Sequence, residues 1–100
     1  MKVVLTDTAI ADLVSIGRYI RRDNPARAET FLVELKEACR RLADMPSAYA
    51  LVPGYEEHSI RRRPYGNYLI FYRAEEKTVV VLHVLNGAQD YESILFPKPE

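Results

Sequence analysis

From Ala9 onward, apolar residues recur at helical spacing. Ile10, Leu13, Val14, Gly17 and Ile20 gather on one face, which predicts an amphipathic helix. The short Lys2–Thr6 run before it reads as a strand, and Thr6 or Asp7 offers the helix an N-cap. Arg18, Arg21 and Arg22 fall in its last turn, where cations suit the helix dipole. Asp23-Asn24-Pro25 ends this helix and begins another, with Asn24 as cap and Pro25 at the first helical position. Ala28, Phe31, Leu32, Leu35, Ala38, Cys39, Leu42 and Met45 then form a second stripe, closed by Pro46. The short connection predicts an antiparallel helical hairpin.

Past Met45 the helical period disappears. Ser47–Glu57, with Pro53-Gly54, reads as a loop carrying Tyr49 and Tyr55. Strands are predicted at Ser59–Arg63, Asn67–Ala74 and Thr78–Asn86, joined by turns at Pro64-Tyr65-Gly66 and Glu75-Glu76-Lys77. Such short links favour an antiparallel meander. The last two strands are almost wholly apolar, which implies cover on both faces. The run Tyr91–Phe96 is amphipathic, and residues 97–100 read as a frayed end. The order β-α-α-β-β-β predicts an α+β domain: a small antiparallel sheet with an N-terminal helical hairpin packed on one face.

Length and charge narrow the function. One hundred residues make a single domain spanning 1–100. Lys+Arg and Asp+Glu are both 14, without the cationic excess of a protein that neutralises phosphates, so no direct DNA binding is expected. Cys39 is the one cysteine, which excludes an internal disulfide and fits a reducing cytoplasm. There is no signal-peptide core and no apolar run of about 20 residues, so no membrane role is expected. His58 and His83 are too few and too far apart for a metal site, and no cofactor is implied. His83, inside an apolar strand, reads as structural.

Arg61-Arg62-Arg63 is the densest charge run. Alternation along a strand points Arg61 and Arg63 one way and Arg62 the other. Guanidinium groups suit a carboxylate or a phosphate, while the plainer reading is a charged edge strand protected from aggregation. Tyr68 and Tyr72 share a strand face and belong to the core; Tyr19 lies off its helix's apolar face as an exposed aromatic. Metal-free RNA cleavage needs a base, an acid and cations for the phosphorane. No lysine occurs between Lys36 and Lys77, and Tyr91 is the one candidate acid, so that set is incomplete.

In these residues the chain resembles the RelE/ParE superfamily of type II toxin–antitoxin toxins, and its ParE branch in particular. Ala9, Asp12-Leu13, Ile16 and Tyr19-Ile20 are similar to the family's A-x-x-D-L-x-x-I-x-x-Y-I run. Asn24-Pro25, Ala28, Phe31 and Leu35 resemble its second helix. Ile60-Arg61-Arg62 with Tyr68–Arg73 looks like its central strands, and residues 84–90, VLNGAQD, resemble the closing V-L-H-G-A-R-D. The branch's His and Arg are here Asn86 and Gln89. Where RelE-type nucleases carry lysines and arginines, this chain has Glu57, Ser59, Leu69 and Gln89.

The resemblance implies a cytoplasmic, non-enzymatic toxin that inhibits DNA gyrase by direct binding. A ParD-like antitoxin, with a ribbon-helix-helix N-terminus and an acidic C-terminal segment, would neutralise it. Tyr19, Arg61, Arg63 and Arg73 are the expected antitoxin contacts, and Asn86, Gln89, Tyr91 and Phe96 the expected target contacts. Two alternatives stay open: a RelE-like ribosome-dependent mRNA endoribonuclease using Arg61, Arg73 and Tyr91, and a non-toxic antitoxin-binding homologue. For Tyr91–Phe96, docking onto the sheet is the competing expectation.

Overall fold

The computed structural model describes residues 1–99. Its elements are β1 (Lys2–Leu5), α1 (Asp7–Arg21), α2 (Pro25–Arg40), β2 (Arg61–Tyr65), β3 (Tyr68–Ala74), β4 (Thr78–Asn86) and α3 (Tyr91–Leu95). Thr6 caps α1 by accepting from Ala9 N, and Asn24 caps α2 by accepting from Arg27 N, with Pro25 opening the helix. The second helix is shorter than its apolar stripe: regular α geometry stops at Arg40 and tightens to a 3-10 turn at Arg41–Ala43. Leu42 stays buried in that turn while Met45 is half exposed.

The four strands form one sheet in the order β1-β4-β3-β2. The β2–β4 meander is antiparallel as expected, but β1 runs parallel to β4, so the sheet is mixed. A parallel neighbour needs a long crossover, and the helical hairpin is part of it. Pro64 and Tyr65, predicted as a turn, are paired strand residues; the turn is Gly66-Asn67, with Gly66 at φ 57°. Proline is tolerated there because β2 is an edge strand. The other half of that edge is covered by residues 50–52: Val52 N donates to Ile60 O and Arg62 N to Ala50 O.

Both sheet faces are covered. Tyr72, Ile70, Val79, Val81 and Val84 pack under Leu13, Ile16, Phe31, Leu35 and Leu42 of the helical layer. On the other face Phe71, Leu85, Ile60 and Val52 meet Tyr91, Leu95 and Phe96. Strict alternation would put position 83, not 84, with Val79 and Val81. Between Phe71 and Tyr72 the register shifts, with Tyr72 opposite Val81 and Phe71 opposite His83, which leaves Leu82 as the extra residue of a bulge. Val84 therefore turns inward and His83 outward.

The bulge sits where β1 ends and α1 begins. Thr6 N donates to Val81 O and its hydroxyl to Leu82 O, and Asp12 Oδ2 accepts from Val84 N at 2.9 Å. The first turns of α1 thus close the edge of β4 that β1 leaves open. Asp12 Oδ2 also holds His83 Nδ1 at 2.9 Å, which gives His83 the structural role expected of it.

Cys39 is buried between α2 and the sheet. Burial pushes its thiol up to about 11, against a smaller opposing pull from Arg63. Two consequences are measurable. The native protein should not react with a thiol reagent at pH 8, and unfolding should release the reaction. Conformational stability should fall as pH rises from 9 toward 11, because the unfolded thiol ionises near 9.0 and the folded one does not. The full contribution is about 2–3 kcal/mol, readable from urea melts across that range.

Candidate partner-binding surfaces

The core face of α1 is Ala9, Leu13, Ile16 and Gly17. Gly17 allows close approach of α2, since a Cβ there would lie 2.7 Å from Leu32 Cδ1. Ile10 and Val14, which the periodicity assigns to the same face, are instead 48% and 51% exposed. With Leu5, Leu13, Leu32 and Lys36 they line a groove of about 450 Å³ along the helical hairpin. Its wall is aliphatic apart from Lys36. The sequence signal for it is the width of the apolar arc: Ile10 lies about 120° and Val14 about 160° round the helix from the buried Ile16, wider than the roughly 100° that one core face needs.

A second cavity, about 480 Å³, lies between α1 and the turn after β4, lined by Ser15, Ile16, Tyr19, Tyr68, Asn86, Ala88 and Gln89. Tyr19 is 66% exposed, as expected of it. Burial, and then the neighbouring Tyr19 phenol, hold the Tyr68 phenol above its ordinary value, against a lowering hydrogen bond from Asn86. The turn is fixed by its own amides: Ala88 N donates to Asn86 Oδ1 and Asn86 N to Gln89 Oε1. Tyr19, Asn86 and Gln89, expected to serve different partners, therefore line one cavity.

The arginines do not form one patch. Arg61 Nη1 donates to Tyr49 O at 2.7 Å and Arg63 Nη1 to Ala38 O at 2.9 Å, both within the chain. The Arg63 guanidinium lies over Tyr49, 5.2 Å from its ring centre, and its buried Nε has no partner among the described residues. Arg62 points the other way, as alternation predicts, and donates to the Tyr91 hydroxyl at 2.7 Å. Arg73 sits beside His83, Ile94 and Leu95 in a smaller cavity on the α3 side. Nearby on α2, Glu34 takes both Arg27 Nη atoms and the Tyr65 hydroxyl, which holds its carboxyl below the usual range and ties α2 to β2.

Residues 91–96 dock onto the sheet. The Tyr91 ring lies 5.1 Å from that of Phe71, and Phe96 stacks on Tyr55 with ring centres 4.1 Å apart, edged by His58. Tyr91 and Phe96, expected as target contacts, spend most of their surface on this packing. No group of His, Cys, Asp and Glu that could hold a metal ion occurs among the described residues. Nor is any helix of the described residues long and apolar enough to cross a membrane.

Residues 3–91 match the family model described as the ParE toxin of the type II toxin–antitoxin system parDE. No curated protein is significantly similar to the chain. Among solved structures, the fold resembles that of a chain from the chromosomal ParDE system of P. aeruginosa, with a TM-score of 0.75 and 19% identity over 86% of this chain and 95% of that one. A chain of the RelBE2 toxin–antitoxin complex of Mycobacterium tuberculosis is similar with a TM-score of 0.64 and 25% identity, over 85% of this chain and 95% of that one. One from the RelB–RelE complex of Methanococcus jannaschii has a TM-score of 0.56 and 21% identity, over 94% and 99%.

Proposed function

The chain belongs to the ParE toxin family of type II toxin–antitoxin systems, and from that premise we propose that it inhibits DNA gyrase by direct binding and is silenced by a cognate ParD-like antitoxin. The observation that carries the antitoxin half is the aliphatic groove of Leu5, Ile10, Val14 and Leu32. An amphipathic antitoxin helix would lay its apolar face there, with an acidic residue over Lys36 at the rim. Arg61 and Arg63 reach that partner only through the N–H groups left free by Tyr49 O and Ala38 O. Arg73, on the α3 side, would contact a segment that wraps further round the sheet.

Binding without covalent chemistry fits the residues. Glu57, Ser59, Leu69 and Gln89 supply no cation where a RelE-type nuclease needs one. Tyr91, the remaining acid, rests on Phe71 with its hydroxyl accepting from Arg62. In the cytoplasm such a protein would act by occupying a surface of its target.

The test is a supercoiling assay with purified gyrase beside an mRNA cleavage assay on translating ribosomes. Supercoiling should be inhibited and no cleavage appear; ribosome-dependent cleavage would instead establish the endoribonuclease reading. Neither activity would leave a non-toxic antitoxin-binding homologue. Within the same experiment Tyr91→Phe should keep inhibition within about 3-fold, whereas loss of a general acid costs about 100-fold or more.

A further inference from the structure

Ser15, Arg18, Tyr19 and Arg22 follow one another at i, i+3, i+4 and i+7, and so form a single stripe of α1. At 100° per residue, Ser15 and Tyr19 lie about 140° round the helix from Ile10 and Val14. The aliphatic groove and the Tyr19 cavity are thus on opposite flanks of the same helix. Arg18 and Arg22 are exposed and make no ion pair among the described residues; Arg18 stands between the two flanks, at i+4 from Val14, and Arg22 beside Tyr19.

Across the cavity, the turn after β4 is fixed by its own side-chain amides. Asn86 Oδ1 and Gln89 Oε1 each accept from a backbone N–H, the Asn86 amide also hydrogen-bonds the Tyr68 phenol, and the Gln89 NH2 has no partner among the described residues. No carboxylate lines the cavity. The Gln89 amide and the Tyr19 and Tyr68 hydroxyls line the cavity, and Arg22, at i+3 from Tyr19, stands beside its rim, which together favour an occupant rich in acceptors. Exposed tyrosine and arginine around a shallow cavity are also the residues that dominate protein–protein contacts.

We propose that this flank is where the toxin meets its target, and that it accepts an acidic protein surface presenting carboxylates and backbone carbonyls. Antitoxin and target then engage opposite sides of α1. Tyr19 belongs with Asn86 and Gln89 on the target side, and the neutral amides suit backbone carbonyls while Arg22 meets the charge. This assignment rests on reading the chain as a gyrase-binding toxin.

The test is a double dissociation with purified gyrase, the cognate antitoxin and growth arrest on expression. Arg22→Glu should weaken gyrase inhibition by about 10-fold or more while antitoxin affinity stays within about 3-fold. Arg22→Lys, measured alongside with a thermal melt of each, separates lost contacts from lost folding. Ile10→Asp/Val14→Asp should do the reverse, sparing gyrase inhibition. The proposal is overturned if the charge-reversed protein inhibits like the wild type, or if it loses antitoxin binding equally. If the wild-type protein arrests growth without inhibiting gyrase, the gyrase reading alone fails. Growth arrest by the charge-reversed variant then decides: abolished arrest supports the surface and undiminished arrest removes it. A wild type that neither inhibits gyrase nor arrests growth overturns both.

Discussion

Replacing Ile10 and Val14 together by aspartate should lower antitoxin affinity by more than about 100-fold, some 3 kcal/mol. Both side chains are about half exposed in the groove, at 48% and 51%, so an apolar helix laid there would bury them fully. Each aspartate would then be an ion placed against Leu5 and Leu32 with no cation but Lys36 in the lining. An uncompensated charge in such a contact costs several kcal/mol. The free toxin should hardly notice, because exposed helix positions away from the core change stability by about 0.5 kcal/mol each. The measurements are calorimetric titration with the antitoxin and a thermal melt of the variant alone. Undiminished affinity would mean that the antitoxin docks elsewhere.

The second large effect is on stability. Phe71→Ala should cost about 3–5 kcal/mol, a large share of the 5–15 kcal/mol that holds a domain of this kind together. Phe71 is fully buried at the centre of the second face, between Val52, Ile60 and Leu85 below and the Tyr91 ring above. Its removal opens a cavity on a sheet whose strands cannot collapse to fill it. The melting temperature should drop by roughly 15 °C or more. Because Tyr91 rests on that ring, amide exchange across residues 91–96 should rise before global unfolding. A small loss of stability with unchanged exchange would show that α3 is held by Tyr55 and Phe96 instead.

Much of the fold is readable in the chain because its local signals are strong. Thr6, Asn24 and Pro25 announce both helix starts, and β4 begins and ends where its composition changes, at Thr78 and Asn86. The candidate surfaces are less legible. Tyr19 can be recognised as exposed from α1's periodicity, and Arg62 as facing away from Arg61 and Arg63. The commitment of Arg61 and Arg63 to the carbonyls of Tyr49 and Ala38 is not visible, because those partners lie 12 and 25 residues away. The same holds for the meeting of Tyr19 with Asn86 and Gln89, which depends on where α1 crosses the end of β4.

The sequence by itself determines the order of the first six elements, though not the closing helix α3, together with the helix caps, the family and the absence of a RelE-type set of cations. Each of these depends on residue identity or on spacings within a few turns. Tertiary structure alone decides that β1 runs parallel to β4, that Leu82 bulges so that Val84 and not His83 enters the core, and that Ile10 and Val14 remain outside it. These outcomes depend on how layers meet. A one-residue bulge reverses every later side chain of a strand, and a helix with apolar residues over a wide arc can bury only the part its neighbours reach.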